Sequence, residues 1–179
     1  MANASNLLQF IMSRWIGSKK YEVIYDTEQH EFTSRSFWSH LKGRQNIIIF
    51  IITEHNYIFG TFHSKLPPSQ EVWVEDDDSH FLFTLKNPFN TSPRRFALQK
   101  GWKKTLYIYG DDQNNDIFSV FNGFWISNNN ECFIRTLFNN GYTHPSLIDN
   151  TIFVGSEWPT TFSLSRLLCV QFFQEEDDI

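Results

Sequence analysis

Three groups of residues have types and spacings that invite a chemical reading. The run Asp76-Asp77-Asp78, with His80 just after it and His63 upstream, sets hard oxygen donors beside imidazoles, as a divalent-cation site requires. Successive side chains of an extended segment point to opposite sides, so at most two of these carboxylates can share an ion. The alternative is a solvated turn. A second run, Asp111-Asp112-Gln113-Asn114-Asn115-Asp116, opens like a calcium loop, with oxygen donors at Asp112, Asn114 and Asp116. Its sixth position, which needs glycine for a sharp turn, is Ile117, and its twelfth, which needs a bidentate glutamate, is Gly123. The calcium reading fails, and a hairpin turn is expected. The six histidines, at positions 30, 40, 55, 63, 80 and 144, show no ligand spacing. The expectation is no metal and no cofactor.

Nucleophilic chemistry rests on two cysteines. Cys132 lies in Glu131-Cys-Phe-Ile-Arg135 and Cys169 in Leu168-Cys-Val170, both inside apolar strand patterns. A small buried hydrophobe accounts for each. An enzyme acting on a small molecule, or a thiol-based redox enzyme using Cys132 or Cys169, is the rival reading. The chain has no nucleophile elbow, dinucleotide glycine motif, phosphate loop or zinc-protease helix motif, so no catalytic residue is assigned. Lys100, Lys103 and Lys104 flank Trp102, with Arg94-Arg95 upstream; this is either a small face for an anionic ligand or a strand edge decorated with lysine. Fifteen basic against twenty acidic residues leave a net charge of −5, which does not recruit phosphate backbones by itself. A regulatory DNA-binding protein, using one local basic face, is a further alternative.

The elements that must position these residues are those of one domain, 1–179, with an acidic tail over 174–179. Its nineteen Phe, six Trp and six Tyr favour pleated, half-buried surfaces and thus a β-rich core; an exposed aromatic platform is the alternative. The N-terminus lacks a basic leader, and the longest apolar run, Ile47–Ile52, is far below the roughly 20 residues that cross a bilayer. A cytoplasmic location is therefore expected, and the sequons at Asn3 and Asn90 carry no weight.

Two short helices are expected. The first starts from Asn6, carries Leu7, Phe10, Ile11 and Trp15 on one face and ends at Gly17. The second is capped by Thr33 or Ser34, carries Phe37, Trp38 and Leu41 and ends at Gly43. Strands are expected at Tyr21–Tyr25, Ile47–Ile52, Tyr57–Phe62, Glu71–Val74, His80–Leu85, Thr105–Tyr109, Gly123–Ser127, Glu131–Arg135 and Leu167–Phe173. The unbroken apolar run at Ile47–Ile52 predicts a strand covered on both faces, paired with Tyr57–Phe62 across Glu54–Asn56. Gly60 within that hairpin needs a reason: either a close approach that forbids a Cβ, or a bulge with positive φ. Many short strands with early helices argue an antiparallel sheet or sandwich.

The order of these segments resembles the TLDc family, the domain of the eukaryotic oxidation-resistance proteins. The likeness is carried by Ile47–Ile52 followed by Tyr57-Ile-Phe-Gly-Thr-Phe62, by Phe81-Leu-Phe-Thr-Leu85, by Gly123-Phe-Trp-Ile126 with Asn128–Asn130, and by Arg135-Thr-Leu-Phe-Asn139. The chain departs from the family pattern in three places. Asn114–Asn122 contains no glycine where the family is glycine-rich, Cys169 or Val170 stands where the closing strand usually has glutamate, and Gly141–Ser165 is longer, with Trp158 and Pro159 in an extra loop. The resemblance implies an α+β, β-rich sandwich of two antiparallel sheets with short helices packed around it. It further implies a non-enzymatic interaction module in oxidative-stress resistance, whose partner is the vacuolar proton-pumping ATPase.

Overall fold

The computed structural model describes residues 4–111 and 115–174. Asp112–Asn114 of the acidic run, Asn3 of the first sequon and all but Gln174 of the acidic tail lie outside the described residues. The chain starts with helix α1 (Ala4–Ile11), which widens into a π-helical turn over Met12–Ile16. Gly17, at φ +70°, stops it by donating its amide to the Met12 carbonyl at 2.9 Å. Asn6 sits inside α1 rather than capping it. Helix α2 (Ser34–Leu41) is capped by Thr33, whose hydroxyl accepts from the Ser36 amide at 3.1 Å, and Gly43 follows at φ +75°. Helix α3 is a single turn, Phe138–Gly141.

Ten strands among the described residues follow the antiparallel rule throughout. They are β1 (Lys20–Asp26), β2 (Ile47–Thr53), β3 (Ile58–His63), β4 (Phe81–Lys86), β5 (Arg94–Ala97), β6 (Leu106–Ile108), β7 (Asp116–Val120), β8 (Phe124–Ser127), β9 (Phe133–Ile134) and β10 (Leu164–Phe173). One sheet has the order β1-β10-β2-β3-β4-β5 and the other β6-β7-β8-β9, so the architecture is the expected two-sheet sandwich with short helices. Strand β2 is held between β10 and β3, and every residue from Ile47 to Ile51 is buried. Its Ile47, Ile49 and Ile51 join the core between the sheets, while Ile48 and Phe50 meet α1 on the opposite side. That double cover is why the run shows no alternation.

Gly60 faces Phe50 across the hairpin and Phe83 across β4. A Cβ there would overlap the Ile49 carbonyl oxygen and stand 2.7 Å from the Phe83 ring, so close approach, not positive φ, selects glycine. Between the sheets, Phe37 of α2 stacks on Phe118 at 5.2 Å and meets Tyr25 edge-on at 5.4 Å.

Three expectations need correction. Glu71–Val74 is not a strand: Glu71 has φ +64°, which breaks an extended ladder, although its amide and that of Val74 still bond the Ile108 and Leu106 carbonyls. Strands β5 and β7 arise where none was expected, from an Arg-led edge and from the end of the acidic run. The expected strand Glu131–Arg135 shrinks to Phe133–Ile134.

Candidate functional site

His63, at the end of β3, and His80, just before β4, come together with rings stacked at 4.5 Å, while the three aspartates separate in a turn that Asp76 enters at φ +58°. Asp76 and Asp78 are exposed. Asp77 is buried and accepts from the Ser64 and Lys65 amides at 2.9 and 3.2 Å, fastening the loop after β3. Among the described residues no group of three His, Cys, Asp or Glu side chains is placed to hold a metal ion. The histidines serve the interior instead. His80 Nδ1 donates to the Phe62 carbonyl at 2.8 Å, and Nε2 lies 2.8 Å from the Tyr142 hydroxyl, which donates to the Phe121 carbonyl at 3.0 Å. Thr61 Oγ1 lies 2.9 Å from His63 Nε2, and His63 Nδ1 is buried with no hydrogen-bond partner among the described residues. Burial pushes His80 down to about 4, against the raising effects of the Phe62 carbonyl and Asp77. Burial and the neighbouring His80 push His63 well below its ordinary value.

Both cysteines are buried, Cys169 in β10 between β1 and β2 and Cys132 just before β9. Burial raises both thiols, Cys169 well above its usual range. Cys132 Sγ also donates to the Ser127 carbonyl at 3.3 Å, a structural use of the thiol.

The basic residues around Trp102 divide rather than form one face. Arg94 and Arg95 belong to the edge strand β5, where Arg95 stacks over Phe81 beside a cavity of about 700 Å³. Lys103 pairs weakly with Asp76 at 4.0 Å, and Lys104 lies over Trp73 at 5.8 Å, beside β6.

The feature that sequence reading did not single out is the outer face of the small sheet. Leu106, Ile108, Phe118, Phe124, Ile126 and Ile134 fill the core, so the alternate positions Tyr107, Ser119, Trp125 and Phe133 look outward. Neighbouring segments add rings at both ends. Trp102 and Trp73 flank Phe121 at 5.4 and 5.6 Å, Trp73 meets Tyr107 at 5.1 Å, and Tyr109 stacks on Trp125 at 5.4 Å. Trp125 meets Phe133 at 5.4 Å, and Phe133 meets Trp158 at 4.7 Å. Trp158, in the extra loop, is fixed beside β9 by its amide, which donates to the Ile134 carbonyl at 2.9 Å. The rings therefore form a band across the sheet. It is partly open to solvent, with Trp102 41% and Trp158 52% exposed.

Arg135 stands within this band. Its guanidinium lies 5.1 Å from the Trp125 ring centre, and Nη2 donates to Ser119 Oγ at 2.8 Å. Its backbone is pinned on both sides, the amide donating to the Gly123 carbonyl and the carbonyl accepting from Asn150 Nδ2 at 3.2 Å. Beside it opens a cleft of about 410 Å³ walled by Trp73, Trp102, Phe121, Phe133, Leu137 and Trp158.

Fold and surface together define an antiparallel two-sheet sandwich with an open aromatic face. The TLDc domain model matches residues 2–165, nearly the whole chain, and the chain belongs to the TLDc domain family. TLDc domains are protein-interaction modules, and the family is linked to oxidation resistance. A search of curated proteins finds no match to the chain. No helix among the described residues is long and apolar enough to cross a membrane.

Proposed function

We propose that this protein is a cytoplasmic, non-enzymatic interaction module that serves oxidative-stress resistance by binding the vacuolar proton-pumping ATPase. The observation that carries the reading is membership of the TLDc family over residues 2–165. The aromatic band on the small sheet supports it, because Trp and Tyr in partly open clefts are the residues on which protein interfaces concentrate their affinity. Buried thiols with raised pKa, and the lack of a ligand cluster among the described residues, favour binding over thiol or metal chemistry. The test is affinity capture with the tagged full chain from a cell extract, followed by ATP hydrolysis by the captured material. Saturable retention of the ATPase peripheral sector, with altered assembly, is the expected result. Absence of that sector from the captured material refutes the reading.

A further inference from the structure

We propose that the cleft beside Arg135 is a docking site for an extended segment of a partner protein that presents an aromatic side chain next to a carboxylate. The proposal rests on the interaction-module reading and supplies the chemistry of its partner. Two independent observations point to this occupant. The first is a guanidinium held over aromatic rings with no carboxylate partner among the described residues. Arg135 forms no ion pair among the described residues; its one side-chain hydrogen bond there goes to Ser119, and its Nε is buried with no partner. A guanidinium offers five donors in a planar fork that matches a carboxylate in bidentate geometry. Half-buried among rings, it gains more from that partner than an exposed lysine would.

The second observation is the shape and chemistry of the walls. About 410 Å³ accommodates one or two side chains, and the lining is mostly ring and aliphatic surface. Trp158 and Leu137, each 52% exposed, and Trp102 leave apolar area uncovered at the mouth. Lys104, outside the cleft lining but 5.8 Å from the centre of the Trp73 ring that forms one of its walls, adds a second positive charge nearby on a chain whose net charge is −5. The complement of an aromatic cleft lined by Arg135, with Lys104 close by, is an acidic, aromatic segment. The site is an anchor pocket with a charge at its base, the arrangement in which truncating one residue removes most of the affinity.

The probe is an acetylated, amidated heptapeptide with a central phenylalanine flanked by two glutamates, titrated into the full chain while the tryptophan indole N–H resonances are followed. Binding should move the signals of Trp102 and Trp158 and leave in place those of Trp15, in the π-helical turn packed against β4, and of Trp38, on α2. Replacing the glutamates by lysine, or the phenylalanine by alanine, should abolish saturation. Arg135→Gln should weaken binding at least about tenfold, as loss of a charged hydrogen bond requires. Trp158→Ala, at an exposed position, should weaken it several-fold with an unchanged melting temperature, so the test survives if Arg135→Gln folds poorly. Equal binding of the lysine peptide, undiminished binding by both variants, or displacement of the peptide by inorganic phosphate at lower concentration would overturn the proposal. Capture of the ATPase sector by Arg135→Gln and Trp158→Ala at the wild-type level would also overturn it, while leaving the interaction-module reading intact. If the wild type binds the peptide through Arg135 but captures no ATPase, the partner assignment fails and this site stands.

Discussion

Replacing Gly60 by alanine tests the geometry at the centre of the larger sheet. The added methyl would overlap the Ile49 carbonyl oxygen and lie 2.7 Å from Phe83 Cζ, where ordinary contact begins at 3.4 Å. The Phe83 ring would have to retreat about 0.7 Å into a packed layer. The Ile49 carbonyl has less freedom, because β2 is bonded on both sides, to β3 and to β10. Overpacking of this kind costs about 3 kcal/mol, the upper end of its usual range. Against it stands about 0.5–1 kcal/mol gained because alanine restricts the unfolded chain. The net is a destabilisation of about 2–3 kcal/mol, which for a domain of this size lowers Tm by roughly 4–12 °C. Urea and thermal melts of wild type and Gly60→Ala read this directly, with the urea m value unchanged. Pairing the change with Phe83→Leu should recover only a minor part, since the carbonyl remains in the way. An unchanged or raised midpoint would show that the hairpin has room for a methyl and would refute the argument.

Other expectations follow from the buried groups. Folded His80 resists protonation down to about 4, whereas the unfolded histidine charges near 6.5, so the unfolded state binds more protons in that window and stability falls as pH drops through it. The loss is about 3 kcal/mol from His80 alone, with His63 adding in the same direction, and urea midpoints measured across the window should show it. His80→Asn should flatten that slope whatever it does to stability at neutral pH. Burial raises the Asp26 carboxyl, but hydrogen bonds from Arg166 at 3.0 and 2.7 Å and from the Glu28 amide outweigh it and hold the group below its ordinary value. Its contribution is therefore present above the unfolded pKa and lost on acidification below it, and Asp26→Asn should cost about 1–3 kcal/mol at neutral pH. Cys132 and Cys169 should react with an aromatic disulfide reagent only as fast as the protein unfolds, and both should react at once in denaturant. Rapid labelling in the native state would revive the thiol-enzyme reading.

What the sequence made legible was whatever a single local rule determines. The β2–β3 hairpin is announced by a β-branched run and a polar break, and α2 by Thr33 before it and Gly43 after it. The segment at Glu71 departs from its strand pattern because Glu71 sits at φ +64° while its amide bonds the Ile108 carbonyl of β6, a tertiary arrangement that local propensity does not record. Strand β5 was missed because a charged edge strand looks like a loop. The aromatic band was illegible for a different reason. In Tyr107, Trp125 and Phe133 the outward face is as apolar as the inward one, so the period of two that separates core from surface disappears. Arg135 opens one of the segments that carry the family likeness, but no chemistry is legible in that segment; packing among Trp125, Phe133 and Ser119 is what marks the residue out. In the sequence His63 and His80 could be weighed only as candidate ligands beside Asp76–Asp78, a reading set aside there; their place in an interior hydrogen-bond network is visible only in the fold.

The position of β10 bears on how the domain is made. Its residues 164–173 are the last described strand to be synthesised, yet they lie in the sheet between β1 and β2, pairing Lys20 with Phe173 and Ile47 with Gln171. Until they emerge from the ribosome, β1 has no neighbour in the sheet and β2 presents an open edge along Ile47–Thr53. That edge is long, apolar and β-branched, the kind that recruits strands from other chains. Closing it requires contact between opposite ends of the chain, which slows folding. The period of greatest aggregation hazard is therefore the interval between synthesis of β2 and release of β10, and a nascent chain halted before residue 164 needs chaperone cover over that one strand.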